Sequence, residues 1–337
     1  MEIKEIKDKK TWEEFLSKKE IEFPFFQTWN WGEVQKKLGF NILRRGVYDP
    51  SGAGLVGVCL IVEKKAKRGH FLHLRHGPVF LDFKLKYFDF FISSIKNLAK
   101  EKGASFIRIS PLIQKDKIEE SFFKKRGFID FPIPNMDAEV CWVLNIQKPE
   151  EEILKSMRKT HRYLIRKALQ MDIEITRTNK MSEINKFLKL YSELSKAKHF
   201  IPHKGIKEEF EEFGKDNEAL LFFAKYEGKI LATALIIFAG NMAIYHHAAS
   251  SSEFKNIPAS YLLQWNVIQE AKKRGKKYYN FWGIADSPNH PWHGHTLFKT
   301  GFGGERVQFI QAKDLPLSPI YWKTYLIELV TKWKKGY

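Results

Sequence analysis

Cysteine is nearly absent from this chain: among 337 residues only Cys59 and Cys141 occur. That excludes a disulfide-rich secreted scaffold. Each cysteine sits in an apolar, strand-like run, so both are expected in the core of a protein kept in a reducing cytoplasm. No apolar run approaches the roughly 20 residues a membrane helix needs; the longest lies near residues 230–239. The opening residues, Met-Glu-Ile-Lys-Glu-Ile-Lys-Asp-Lys-Lys, hold no apolar h-region, and no signal peptide is expected. Acidic residues are outnumbered, 39 Asp and Glu against 57 Lys and Arg, which leaves a formal charge of +18. An excess of that size favours polyanionic partners: nucleic acid, phosphorylated small molecules or an anionic membrane face.

What is present is globular in character. Hydrophobic residues make up 44% of the chain and charges are mixed throughout, so wholesale disorder is excluded. The length suits two domains, at roughly 100–200 residues each. Two stretches repeat one element order. In the first, Gly54–Val62 reads as a buried strand after a turn, residues 70–74 as a second strand, and Tyr87–Lys102 as a helix with Phe88, Phe91, Ile92, Ile95 and Leu98 on one face. Gly103 stops that helix, and Ser105–Ser110 follows as a strand. In the second, Gly228–Phe238, Met242–His247, a helix Tyr261–Arg274 ended by Gly275, and Lys277–Trp282 take the same order. The turn glycines lie 174 residues apart and the stop glycines 172 apart, which points to duplication.

Strand–strand–helix–strand in a mixed α/β sheet is the core of the GNAT acyltransferase fold, and the expected architecture is two such units. Glycine is missing, however, where an acetyl-CoA enzyme needs it. The stretch Ala249–Ser260 before the second helix contains none, and Arg75–Phe80 offers no repeated-glycine loop. Backbone N–H groups of such a loop would hold a pyrophosphate. The architecture therefore suggests acyl transfer without the usual CoA site.

Glu150–Lys167 turns basic along its length, and at helical spacing Arg158, Arg162 and Arg166 share one face placed to meet phosphates. Ile320–Trp333 is amphipathic, with Tyr321, Tyr325, Leu329 and Trp333 spaced for a face that docks on a domain core or lies on a membrane.

Five segments in order resemble the Fem family of non-ribosomal peptidyltransferases: Phe26-Gln-Thr-Trp-Asn-Trp-Gly-Glu33, His76-Gly-Pro-Val79, Met157–Ala168, Phe281-Trp-Gly283 and Leu297-Phe-Lys-Thr-Gly-Phe-Gly-Gly304. The resemblance implies two GNAT-like domains, 1–147 plus 313–337 on the acceptor side and 148–312 on the donor side, with the C-terminal helix returning to the first. Phe187–Gly214 leaves no room for the coiled-coil arm of FemA- and FemB-like members, so the chain looks like the shorter FemX-like form. It implies aminoacyl transfer from aminoacyl-tRNA to the amine of a UDP-linked or lipid-linked peptidoglycan precursor, by a monomer without cofactor in the cytoplasm, with peripheral contact at the inner membrane face allowed.

For that reaction Lys299 is the expected catalytic cation, with Phe298 stacking on the terminal adenine of the tRNA. Gly301, Gly303 and Gly304 would permit a tight turn or a close backbone approach. Lys36, with Gln35 or Lys37 as alternatives in register, and Lys196 or Lys198 are matched to the acceptor's phosphates. Tyr245, His247 and Trp282 are expected to line the cleft, and Arg158, Arg162 and Arg166 to contact tRNA. One departure stands out: the family usually carries a carboxylate before the proline that ends the first unit's last strand, and here the pair is Ser110-Pro111. No general base is assigned. His290-Pro-Trp-His-Gly-His295 fits no standard metal spacing, and no metal is expected. Rival readings are an N-acyltransferase using acyl-CoA or an acyl carrier, and a basic RNA-binding protein.

Overall fold

The computed structural model describes the chain apart from Ala53, Lys67, Arg68, Glu120, Ser252, Lys255, Asp286, Gly336, Tyr337 and the side chain of Lys335. Its strands, in chain order, are β1 (Glu2–Glu5), β2 (Asn41–Asp49), β3 (Gly54–Ala66), β4 (Gly69–His76), β5 (Val79–Phe80), β6 (Phe106–Pro111), β7 (Ile129–Asp130), β8 (Val140–Asn145), β9 (Ile173–Thr178), β10 (Ala219–Tyr226), β11 (Lys229–Ala239), β12 (Met242–Ser250), β13 (Tyr278–Gly283), β14 (Glu305–Gln308) and β15 (Lys313–Pro316). They form two mixed sheets. One runs β1-β2-β3-β4-β6-β15-β7, with β5 on β3; the other runs β14-β8-β13-β12-β11-β10-β9.

The expected repeat is present in both. Antiparallel β2-β3-β4 leads through helix Leu85–Glu101 to β6, which lies parallel to β4. Antiparallel β10-β11-β12 leads through helix Ala259–Lys273 to β13, parallel to β12. Gly103 and Gly275 follow the two helices with φ of +68° and +71°, a left-handed conformation that glycine adopts without a Cβ penalty. Each helix buries its apolar stripe on its sheet. Phe88, Phe91, Ile92 and Ile95 do so in one core, and Leu263, Val267, Ile268 and Ala271 in the other.

The chain divides into two compact units, Met1–Val140 with Ala285–Pro291 and Val307–Tyr337, and Cys141–Ile284 with Trp292–Arg306. The second begins at Cys141 rather than at 148, because β8 pairs with β13 in the second sheet. The converse holds at the other end: β15 follows the second unit in sequence but pairs with β6 and β7 of the first sheet. In each sheet the position between the last parallel strand and the outermost strand is filled from the other half of the chain. Sequence periodicity carries no information about which sheet takes such a strand.

Helix Tyr321–Lys335 turns only the start of its expected face inward, Tyr321 being buried and Tyr325 half-buried. Tyr321, Thr324 and Glu328 are buried, whereas Leu329 and Trp333 of the expected docking face are exposed. The reason is an ion-pair network: the Arg108 guanidinium donates to both oxygens of Asp314 at 2.7 and 2.8 Å and to both oxygens of Glu328 at 3.2 and 2.9 Å. Tyr321 Oη also donates to Asp314, at 3.0 Å. A charge that deep must be fully paired, so the polar side of the helix faces the sheet.

Candidate active site

In the second unit the parallel strands part early. β12 and β13 pair only from Met242↔Tyr278 to Ile244↔Asn280, although β12 runs on to Ser250. Two irregularities sit at the opening. On β12 the register against β11 jumps from Ile236↔Tyr245 to Leu235↔His247, leaving His246 as the extra residue of a bulge. On β13 the register shifts between Asn280 and Gly283; Trp282 takes a φ of +68°, and its N–H donates to Asn280 Oδ1 at 2.8 Å. A left-handed tryptophan is costly and is held here by its neighbours.

The bulge explains an arrangement that sequence reading missed. Adjacent strand residues normally point to opposite faces, yet His246 Nδ1 and His247 Nε2 lie 2.9 and 3.0 Å from the same atom, Glu209 Oε2. Burial opposes the Glu209 charge, but the two imidazoles beside it hold its carboxyl well below the usual range. Burial pushes His246 down to about 4, so its ring is neutral at pH 7. Glu209, His246 and His247 are the residues whose spacing would hold a metal ion among those described. They also satisfy one another as a carboxylate clamped by two rings. The only signals in sequence were the His246-His247 pair and an acidic helix 37 residues before it, neither specific. Tyr245, one position earlier, turns the other way: it packs on the second core, with burial raising its phenol.

Beside this cluster lies the Gly-rich segment. His246 meets Trp282 edge-on at 5.3 Å, and the next residue, Gly283, accepts a hydrogen bond of 2.6 Å from Lys299 Nζ. Lys299 is in the last turn of helix His293–Thr300. Desolvation of its ammonium lowers its pKa from 10.5 to about 8. Lys299 and Lys198 both depress His295, after the larger effect of burial, which puts Lys198 in the same electrostatic neighbourhood. Lys196 and Lys198 are both exposed in the last turn of helix Ile184–Lys198, and of these two it is Lys198 that acts on His295.

Packing fixes where Lys299 stands. Phe298 is half-buried, edge-on to Tyr261 at 5.1 Å and to Phe302 at 5.2 Å, and its carbonyl is bonded to His161 Nε2 at 2.9 Å. Gly301 has an ordinary helical φ and is required by contact: a Cβ there would lie 1.9 Å from the His161 ring. Gly304 combines a φ of +98° with a Cβ position 2.4 Å from the Val143 carbonyl. The basic stretch is two helices, Glu150–Ser156 and Lys159–Leu169, rather than one, because the chain is extended at Met157 and Arg158. Arg158 binds the end of the Lys299 helix through Thr300 Oγ1 at 2.9 Å. Arg162 donates to the carbonyls of Lys155 and Met157, and Arg166 is exposed.

The first unit holds a second polar cluster. Gln27 staples two motifs: its amide donates to the Arg75 carbonyl at 2.6 Å, and its Oε1 accepts from Leu60 N–H at 2.6 Å. Arg75 stacks over Phe26 at 3.4 Å and donates to Asp137 Oδ1 at 2.6 Å. Ser110 Oγ donates to the other oxygen of Asp137 at 2.5 Å. Ser110, before Pro111, thus holds a carboxylate rather than being one: that of Asp137, 27 residues on. Burial opposes its charge, yet Arg75 first, then His73 and His76, hold it well below the usual range. Nearby Glu139 is pushed up to about 7 by burial and by the Asp137 charge. Lys36 and Lys37 are exposed, Lys36 pairing with Glu33 at 2.9 Å, whereas Gln35 is buried and accepts from Lys64 Nζ at 2.8 Å. Burial lowers Lys64 to about 7, a cation that sequence reading did not single out.

A family model for the FemAB family matches residues 8–127 and 202–330. This chain belongs to the FemAB family. Among its curated relatives, a lipid II:glycine glycyltransferase of Staphylococcus epidermidis is 22% identical over 312 residues, covering 71% of this chain and 74% of the relative. The lipid II:glycine glycyltransferase of Staphylococcus aureus strain MRSA252 is 21% identical over 341 residues, covering 78% and 80%. Among solved structures, that of FemX superposes with a TM-score of 0.82 at 20% identity, covering 97% of this chain and all of FemX. A tandem GNAT protein from the clavulanic acid pathway shares the fold with a TM-score of 0.52 at 8% identity, covering 83% and 84%. The matched stretches hold four of the five motifs, and Met157–Ala168 lies between them.

Proposed function

We propose that this FemAB-family chain is a transferase that moves an aminoacyl group from aminoacyl-tRNA to the amine of a peptidoglycan precursor stem peptide. The observation that carries the proposal is Lys299: a partly desolvated ammonium fixed on the Gly283 carbonyl, beside Trp282 and near Lys198 and His295. The ester of a charged tRNA is already activated. The attacking nitrogen forms the new C–N bond, the C–O bond to the ribose breaks, and the proton released by the amine passes to the leaving ribose oxygen. No metal, nucleotide or covalent intermediate is needed to balance the step.

The site then has two tasks. Holding amine and ester together supplies up to roughly 7–11 kcal/mol. A cation poised at the developing oxyanion supplies about 3–4 kcal/mol, and a desolvated one acts with less solvent screening. Lys299 takes the second role, and arriving phosphates or an oxyanion would raise its pKa back and keep it charged. Exposed Arg166, Lys159 and Arg158, with the overall charge of +18, suit a tRNA backbone. Phe298 would stack on the terminal base. Lys36 and Lys198 would meet acceptor phosphates, with Lys196 the weaker candidate, and His247 and Trp282 would line the acceptor pocket.

The test is a mass measurement. Purified protein is incubated with a pool of charged tRNAs and with UDP-linked and lipid-linked stem-peptide precursors, and the mass added to each precursor is read. A charged-tRNA-dependent increment that disappears in Lys299→Ala is expected. Acetyl-CoA-dependent acylation with no tRNA-dependent product would overturn the proposal in favour of an acyl-CoA enzyme.

A further inference from the structure

The C-terminal helix Tyr321–Lys335 is amphipathic in an inverted sense. At 100° per residue, Leu329, Trp322, Trp333, Leu326 and Val330 fall within an arc of about 100°. All five are exposed, Leu326 at 61% and Trp333 at 82%, and Ile320 just before the helix is exposed at 66%. Helix residues normally bury such a stripe and leave the polar face to water. Here Tyr321, Thr324 and Glu328 face the protein, and the Glu328–Arg108 pairing, reinforced by Asp314, prevents the helix from rolling over. The apolar stripe is held outward by the fold.

The chemistry around the stripe identifies its partner. Lys323 and Lys334 lie along one edge and Lys332 along the other, where long side chains can keep their ammonium groups at a headgroup level while the stripe is buried. The two tryptophans sit near opposite ends, which suits the amphipathic zone between lipid headgroups and acyl chains. The formal charge of +18 adds a long-range attraction to anionic lipid. No described helix is long and apolar enough to cross a membrane, so the contact is one of lying on the surface. We propose that the outward face of helix Tyr321–Lys335 is a docking surface for an anionic lipid bilayer, with Trp322, Leu326, Leu329, Val330 and Trp333 entering the interface. This goes beyond the transfer reaction and does not depend on it; it would place a transferase of this kind where a lipid-linked acceptor is found.

The experiment is vesicle co-sedimentation of the full chain, using phosphatidylglycerol–phosphatidylcholine vesicles, pure phosphatidylcholine vesicles, and no precursor. Binding to the anionic vesicles that weakens on adding salt is expected. Leu326→Asp and Val330→Asp, both at exposed positions, should each lower the bound fraction about tenfold or more, with circular dichroism unchanged. Undiminished binding by both variants would assign the attraction to the basic surface alone and overturn the proposal. So would failure of the wild-type chain to bind any vesicle, including the case in which it forms a dimer that Leu326→Asp dissociates. Because no precursor is present, a negative result here leaves the tRNA-dependent transfer assay unaffected.

Discussion

Replacing Lys299 with methionine should abolish transfer and at the same time stabilise the protein. The pKa of Lys299 is lowered from 10.5 to about 8, chiefly by loss of hydration around the ammonium. At about 1.4 kcal/mol per unit, that difference corresponds to about 3 kcal/mol of folding free energy at neutral pH. Methionine keeps the stem and removes the charge. It also leaves the Gly283 carbonyl without its 2.6 Å donor, a loss of about 1 kcal/mol, and residual solvent at this partly exposed residue trims the gain further. The net expectation is stabilisation by about 1–2 kcal/mol in urea or thermal unfolding. The pH dependence follows from the sign of the shift. The unfolded chain holds more protons than the folded one between pH 8 and 10.5, so wild-type stability should rise across that window, and that rise should be missing in Lys299→Met. Destabilisation of Lys299→Met by more than about 1 kcal/mol would refute the reasoning, as would a variant that still transfers at the wild-type rate. Strain retained at a functional site against stability is the pattern such a result would establish.

Two further outcomes test the geometry around the sites. Gly301→Ala should cost about 1–3 kcal/mol by overpacking against the His161 ring, which is anchored on the Phe298 carbonyl. The double variant Gly301→Ala with His161→Ala should be less destabilised than the sum of the two, as a thermal double-mutant cycle would show. Ser110→Asp would restore the usual family carboxylate but set it against buried Asp137, costing about 3 kcal/mol or more in urea unfolding. Adding Asp137→Ser should recover most of that loss, and no recovery would mean that Asp137 does not occupy the missing position.

Several features were legible in the order of residues alone. The apolar runs after Gly54 and Gly228, the helices stopped by Gly103 and Gly275, and the near-equal spacing of these marks give the repeated sheet, because periodicity and left-handed glycines act over a few residues. Lys299 stands out only through the resemblance of Leu297–Gly304 to the Fem family; the glycines at 301 and 304 by themselves indicate a close backbone approach, which involves His161 and Val143. Tertiary structure decided the rest. The exchange of β8 and β15 between sheets depends on pairing with strands far along the chain, to which neither strand's own pattern is sensitive. His246 joins His247 on Glu209 only because a bulge breaks the alternation of strand faces. Asp137 answers Ser110 from a distant turn. The C-terminal helix presents its apolar side outward because one buried arginine needs two carboxylates, and the free energy of leaving that charge unpaired exceeds that of exposing a stripe of tryptophan and leucine.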